Sequence, residues 1–403
     1  MADLKGYART AIPVFLSSFL AYFYFIGTVP LGYMYQSFPG QDALTILVAT
    51  LPGVTAMIGA FGCAPLMRVM RKKTIVVASL VLAIVGSLVI RFVGTQSLEL
   101  CIVASALMGF LSGAAPSVNY VVLTETAPEG IRDKVVGWND GFSGAGLLVF
   151  TFLAGLLSAD GDWARTYALG YAIIPVLAAV VLLYPDSYEV AAESAEAASA
   201  EEVEEPKVPA SAFAIIVLKF IVSMFVIAVS LNISDLVINE RAIGDAGVVG
   251  NIATIYSLAF TVGTFLVFTV LSRLKGLAPF FQLLLVAAEL VVIALFRELD
   301  PVVIGILVGI GSLGGSVHSS MATLCTLATK GKAVETVSSL FTGATFVGEF
   351  LCGYVPPIVA GLVLGEATPS NNLLVSGIAC AIFAIITIPV CNAAYKLAFP
   401  DEA

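Results

Sequence analysis

The sequence predicts an all-α polytopic membrane protein of twelve transmembrane helices in two pseudo-symmetric six-helix bundles. Three observations carry this expectation. Composition comes first: 59% of the residues are hydrophobic, 12% are charged and the mean hydropathy is +1.01, values far from those of a soluble domain. Second, long apolar runs fall six on each side of one acidic stretch, residues 186 to 209, which holds eight carboxylates and one lysine. Third, the two sides match each other weakly when one is slid along the other.

A helix needs about 20 predominantly apolar residues to cross a hydrocarbon core of roughly 30 Å. Runs of that kind cover 11 to 35, 43 to 67, 74 to 94, 98 to 124, 136 to 158 and 165 to 184, then 211 to 236, 247 to 271, 277 to 296, 301 to 328, 337 to 364 and 371 to 396. The first run is too long for a signal-peptide core of roughly 7 to 15 residues, so a retained first helix is expected. The organisation that follows is an N-terminal bundle over 1–185, an acidic cytoplasmic linker over 186–210 and a C-terminal bundle over 211–403. The net charge of −9 belongs mostly to the linker, which contributes −7, so the acidic balance says nothing about an anionic partner.

Cytoplasmic loops carry the excess of Lys and Arg. With both termini inside, fourteen of the nineteen basic residues fall on inner segments, among them Arg68, Arg71, Lys72, Lys73, Arg132, Arg273 and Lys275. A wrong helix count would scramble this alternation. The expected location is the plasma or cytoplasmic membrane, with N- and C-termini in the cytoplasm. The six cysteines (Cys63, Cys101, Cys325, Cys352, Cys380, Cys391) lie inside apolar runs and are read as small packing residues rather than a metal clip or a disulfide frame.

A shift of 202 positions places Gly109, Gly113, Ser117 and Thr124 on Gly311, Gly315, Ser319 and Thr326. It also places Gly141 and Gly146 on Gly343 and Gly348, and Arg71 and Lys73 on Arg273 and Lys275. These matches fall at the same helix positions and the same loop, as a duplicated six-helix unit would produce. Gly109 and Gly113, like Gly305 and Gly309, are four apart and mark a face where helix backbones approach closely, for packing or for a surface that rocks.

Two six-helix repeats, a long polar link and a basic loop between the second and third runs resemble the major facilitator superfamily. That family's loop places an acid and a glycine ahead of its bases. Here Cys63-Ala-Pro-Leu-Met-Arg68-Val-Met-Arg71-Lys72-Lys73 keeps the bases but has Met67 in place of the acid and Met70 in place of the glycine. Glu125 before Ala-Pro-Glu-Gly-Ile-Arg132 is similar to the family's acid and arginine after the fourth helix, and Trp163-Ala-Arg165 to its start of the sixth. Gly141, Gly144, Gly146 and Gly155 resemble the glycine-rich fifth helix of the family's drug exporters, without its proline. The resemblance implies a cytoplasmic gate, for which Arg68, Arg71, Lys72, Glu125, Arg132 and Arg273 are the candidates.

Ionisable groups within a bilayer cost about 2.5 to 3.5 kcal/mol at a helix centre on insertion scales, so each one needs a reason. Glu349 lies about 12 residues into a run of roughly 28, near the midplane. It is read either as a proton-coupling or cation-binding carboxylate or as a neutral carboxyl bonded to a neighbouring helix. Lys219 in the seventh run can snorkel to the cytoplasmic surface or partner Glu349 or an anionic solute. His318, the only histidine, sits beside Ser316, Ser319 and Ser320 and serves solute, proton or packing. Asn119, Asn232, Tyr22 and Tyr24 are candidates to face a central cavity, but Tyr22 and Tyr24 are two apart and cannot share a helix face. Glu289 is read as a structural pair and Asp140 as an interface or cap residue.

With one histidine and no Gly-rich phosphate loop bearing a lysine, neither a His-rich metal centre nor ATP-driven transport is expected, and an enzyme is not indicated. The expected function is secondary active transport of a small organic solute by alternating access, coupled to protons or else driven by the solute's own gradient. The solute is anionic if Lys219 reaches the cavity. The alternatives are an exporter of amphipathic drugs and a non-transporting receptor. Solute, protons and the lipid bilayer are the expected partners, without nucleic acid, cofactor or metal, and the chain is expected to act as a monomer. The linker is read as a tether or as a charge that attracts the inner basic loops and biases which side is open.

Overall fold

The computed structural model describes residues 2–128, 131–185, 208–329 and 333–399. Every regular element among them is helical, the outcome expected where lipid offers backbone groups no partner and each N–H must be satisfied within its own segment. The membrane spans are α1 (Tyr7–Thr28), α2 (Asp42–Cys63), α3 (Lys72–Gln96), α4 (Leu98–Thr126), α5 (Gly141–Ser158) and α6 (Trp163–Leu183) in the first half. The second half has α7 (Ala210–Glu240), α8 (Ala246–Phe265), α9 (Thr269–Leu295), α10 (Pro301–Leu327), α11 (Thr336–Cys352 with Val355–Leu364) and α12 (Pro369–Ala398). The acidic linker, and with it the idea that its charge biases the transporter, falls on residues 186–207, outside the described residues.

Several spans are interrupted, which the apolar runs did not reveal, and four of the breaks bear on the site. In α1 the α-helix ends at Ser18 and the chain continues as a 3-10 turn over Phe23–Thr28; α7 breaks at Ile227 and α10 at Ser316. The single run 337 to 364 is two helices bent by 45° at Gly353 and Tyr354. Pro356 and Pro357 explain the bend, because neither has an N–H to donate to the preceding turn.

The repeat is visible in packing. Gly146 of α5 lies against the backbone of Phe19 in α1, and its equivalent Gly348 of α11 against the backbone of Phe220 in α7. Gly113 of α4 packs on Ala56 of α2, and Gly315 of α10 on Phe260 of α8. Gly113, Gly146 and Gly348 each admit a neighbouring backbone where a side chain would not fit. Between the halves, α5 runs along α8 and α2 along α11.

At the end remote from the basic loops the halves are closed. The short helix Leu31–Ser37 meets the last turns of α7: Gly32 N donates to Ser234 Oγ at 2.9 Å, Ser234 Oγ to the Val29 carbonyl at 2.6 Å, and Asn239 Nδ2 to the Gly32 carbonyl at 2.9 Å. Gly32 and Ser234 are 202 positions apart, the repeat shift itself, so the pseudo-two-fold axis passes through this seam. A second contact, Tyr354 OH to the Ala43 carbonyl at 3.3 Å, ties α11 to α2 at the same end.

Candidate functional site

Between the halves lies a cavity of about 1840 Å³ including its open mouth. Its lining runs from Tyr22, Phe25 and Glu349 at mid-depth to Gly141, Thr264, Phe265, Thr326 and Ser338, residues at the helix ends beside the basic loops. Phe265 is 63% exposed there, and Ser338 is exposed. The cavity therefore opens at the basic end and is stopped by the seam at the other.

The wall is rich in hydroxyls (Ser112, Ser117, Ser143, Thr261, Ser319, Thr342, Thr345) and in aromatic rings (Tyr22, Phe25, Tyr256, Phe260, Phe341, Phe346). Among the described residues of the lining, Glu349 is the one carboxylate and His318 the one potentially cationic side chain. Gly348 accounts for the position of Glu349: a Cβ at 348 would stand 2.5 Å from the Phe220 carbonyl oxygen and from Ser223 Cβ, so α11 approaches α7 more closely there than any other residue would permit.

Lys219 does not snorkel. It is fully buried, with Nζ donating to Ser223 Oγ one turn deeper at 2.8 Å and lying 5.6 Å from the centre of the Phe341 ring, a cation–π distance. The close packing of α7 on α11 leaves no path back to the surface. Lys219 is not in the cavity lining, but the Phe341 ring it packs on is. His318 does line the cavity, just past the break in α10. Both of its ring nitrogens are buried without a hydrogen-bond partner among the described residues.

Three candidates are placed elsewhere. Asn119 is fully buried within the first bundle: Nδ2 donates to Ser17 Oγ and Ser18 Oγ, each at 2.8 Å, and Oδ1 accepts from Tyr184 OH at 2.7 Å. An amide whose donors and acceptor are engaged by α1 and by the residue ending α6 is a structural tie, not a cavity residue. Asn232 likewise joins α7 to α12, accepting from Asn372 Nδ2 at 2.9 Å. Tyr24 is buried against Phe25, with ring centroids 4.7 Å apart, while Tyr22 lines the cavity. The non-helical turn after Ser18 decides which of the two faces inward, and the apolar run gave no sign of it.

Of the gate candidates, Lys72 and Glu125 form an ion pair that joins α3 to α4 within the first half. Arg68, Arg71 and Arg273 are exposed, on the loops at the end where the cavity opens, and are not part of its lining. The side chains of Arg132 and Asp140 lie outside the described residues. Sequence reasoning missed Tyr256, Phe260 and the α8 hydroxyls, since an aromatic or threonine in an apolar run carries no mark of facing a cavity.

Known structures share this architecture. The nucleoside transporter NupG superposes with a TM-score of 0.74 at 12% identity, over 94% of this chain and 99% of that one. A D-xylose–proton symporter gives 0.71 at 13% identity, over 94% and 96%. The peptide transporter POT in complex with alafosfalin gives 0.72 at 15% identity, over 96% and 95%. At these identities the likeness is one of fold. No curated protein sequence matches the chain. The family model of the Major Facilitator Superfamily matches residues 11–353. With twelve spans in two related bundles around a cavity open at one end, and a family match over most of its length, the chain belongs to the Major Facilitator Superfamily of membrane transporters.

Proposed function

We propose that the protein is a proton-coupled secondary transporter of a small organic solute, and that Glu349 is its coupling carboxylate. The observation that carries this reading is the position of Glu349: a single acid at mid-depth in a hydroxyl- and aromatic-lined cavity that opens at one end only. A carboxylate in that place can bind a proton or a cationic group from whichever side is open, which is what alternating access requires. Because basic loops lie on the cytoplasmic side, the end bearing Arg68, Arg71, Lys72, Arg273 and Lys275 is assigned to the cytoplasm of a plasma or cytoplasmic membrane, and the conformation is inward-open. The neighbouring structures include a proton symporter and transporters of a nucleoside and of peptides, so a polar organic solute fits the fold. With Lys219 sealed behind the wall, the lining favours a neutral or cationic solute over the anion that an accessible lysine would have invited.

A second reading rests on the seven aromatic rings that line the cavity with one carboxylate, which suit a flat amphipathic cation and hence drug export. Uptake into proteoliposomes separates the two. Panels of neutral, cationic and anionic solutes are offered with and without an imposed pH gradient. Accumulation driven by the gradient is expected for the wild type, and Glu349→Gln should lose accumulation while retaining solute exchange. Accumulation blind to the gradient, or an unaltered pH dependence in Glu349→Gln, removes the coupling role. Preference for bulky aromatic cations moving outward selects the exporter.

A further inference from the structure

Behind the cavity wall, α9 carries a polar face that the transport site does not use. Gln282 and Glu289 are seven residues apart and therefore lie along one side of the helix. That side meets α10. Gln282 Nε2 donates to Ser316 Oγ at 2.8 Å, at the break in α10, and Glu289 packs against Gly311, where any Cβ would collide with the carboxyl group. The repeat shift puts Leu80 and Ser87 at the corresponding positions of α3. Ser87 turns instead to α6, donating to the Tyr167 carbonyl at 2.6 Å and packing on Gly170, and α4 of the first half runs unbroken from Leu98 to Thr126. The fold does not demand a glutamine, a carboxyl or a break here.

Glu289 is 4% exposed, its Oε1 has no hydrogen-bond partner and it makes no ion pair among the described residues. Ionised, it would be an unpaired charge in the protein interior, and neutral, it still leaves an oxygen unbonded. Its charge is therefore governed by what packs on it. The titratable groups within electrostatic range of it on the neighbouring helices are Tyr256 of α8 and Cys380 of α12, the helix along which α9 packs. On α10 the titratable side chain is His318, seven residues beyond Gly311 and so about 10 Å further along the axis. Tyr256 lines the cavity and senses both Glu289 and Glu349. His318 and Ser319, just past the break, line it too.

We propose that Glu289 is a second proton-carrying carboxyl of the transport cycle, acting across Gly311 on the broken helix α10 and through it on the placement of His318 in the solute site. The proposal rests on the proton-coupled reading above. Glu289 touches no solute, so its role is a positioning one. Charging the carboxyl repels the close approach of α10, and neutralising it restores that approach.

The test is solute-driven proton movement in proteoliposomes, read with an entrapped pH dye, for wild type, Glu289→Gln and Glu289→Asp. Glu289→Gln should bind and exchange solute within about twofold of wild type at one fixed pH. It should lose one of two titrating steps in the pH profile of accumulation and carry roughly half the protons per solute, with Glu289→Asp restoring both. A pH profile and proton ratio like those of wild type overturn the proposal while leaving the coupling role of Glu349 intact. A wild type that moves no protons with solute overturns the proton-coupled reading and this one with it. Infrared difference spectra of Glu349→Gln across a pH titration keep the question decidable if Glu289→Gln does not fold. A slowly exchanging carboxylic C=O band that still titrates is expected, and its absence overturns the proposal.

Discussion

Asn119 was a candidate to face the cavity because an amide in an apolar run needs a reason, and the reason turns out to be internal. Its side chain satisfies Ser17, Ser18 and Tyr184 at once, in a fully buried position. Removing one member of such a network strands the others, at about 1–3 kcal/mol for each buried polar group left unpaired. Asn119→Ala should therefore lower the melting temperature of the detergent-solubilised protein by several degrees, with solute binding retained in the fraction that stays folded. Loss of binding at unchanged stability would return Asn119 to the solute site. Lys219 makes the complementary point. Sequence can mark an ionisable group as costly, but whether a long side chain snorkels or turns inward depends on what its helix packs against. Here Gly348 lets α11 close over it.

The short helix Leu31–Ser37 and α7 meet across the seam at Gly32 and Ser234, and the contact is tight enough to read as the closed gate of this conformation. A Cβ at position 32 would stand 2.9 Å from the Ser234 carbonyl oxygen and 3.1 Å from Ile238 Cβ. Gly32→Val should wedge the seam apart and populate the opposite, outward-open state. A membrane-impermeant maleimide added from outside should then label a cysteine placed at Ser230 several-fold faster in Gly32→Val than in the parent. The six native cysteines are all buried, which keeps the background low. Equal labelling rates would mean that the seam does not gate access. The bend in α11 belongs here as well: Pro356 and Pro357 are plain in the sequence, yet the apolar run continued through them and concealed the break.

Twelve spans return both termini to one side, and the proposed orientation, with that side in the cytoplasm, rests on the excess of basic residues there. A fluorescent protein fused after Ala403 should fluoresce, and alkaline phosphatase at the same place should be inactive; the reverse pattern would invert the orientation and turn the inward-open state into an outward-open one.

Fold class, span number and the repeat were legible because they follow from length, hydropathy and glycine spacing, which a bilayer enforces along the chain. The shift of 202 that related the halves reappears as the separation of Gly32 and Ser234 across the seam. Glu349, Lys219, His318 and Glu289 were visible as charges or rings in apolar surroundings, since lipid makes each of them costly. Which of them meet the solute was not visible. Facing is set by helix rotation, by breaks at Ser18, Ile227 and Ser316, and by which neighbour a glycine admits, all of which arise between segments distant in sequence. The bilayer acts on each helix separately and leaves its mark in the order of residues; the cavity exists only where helices from both halves converge.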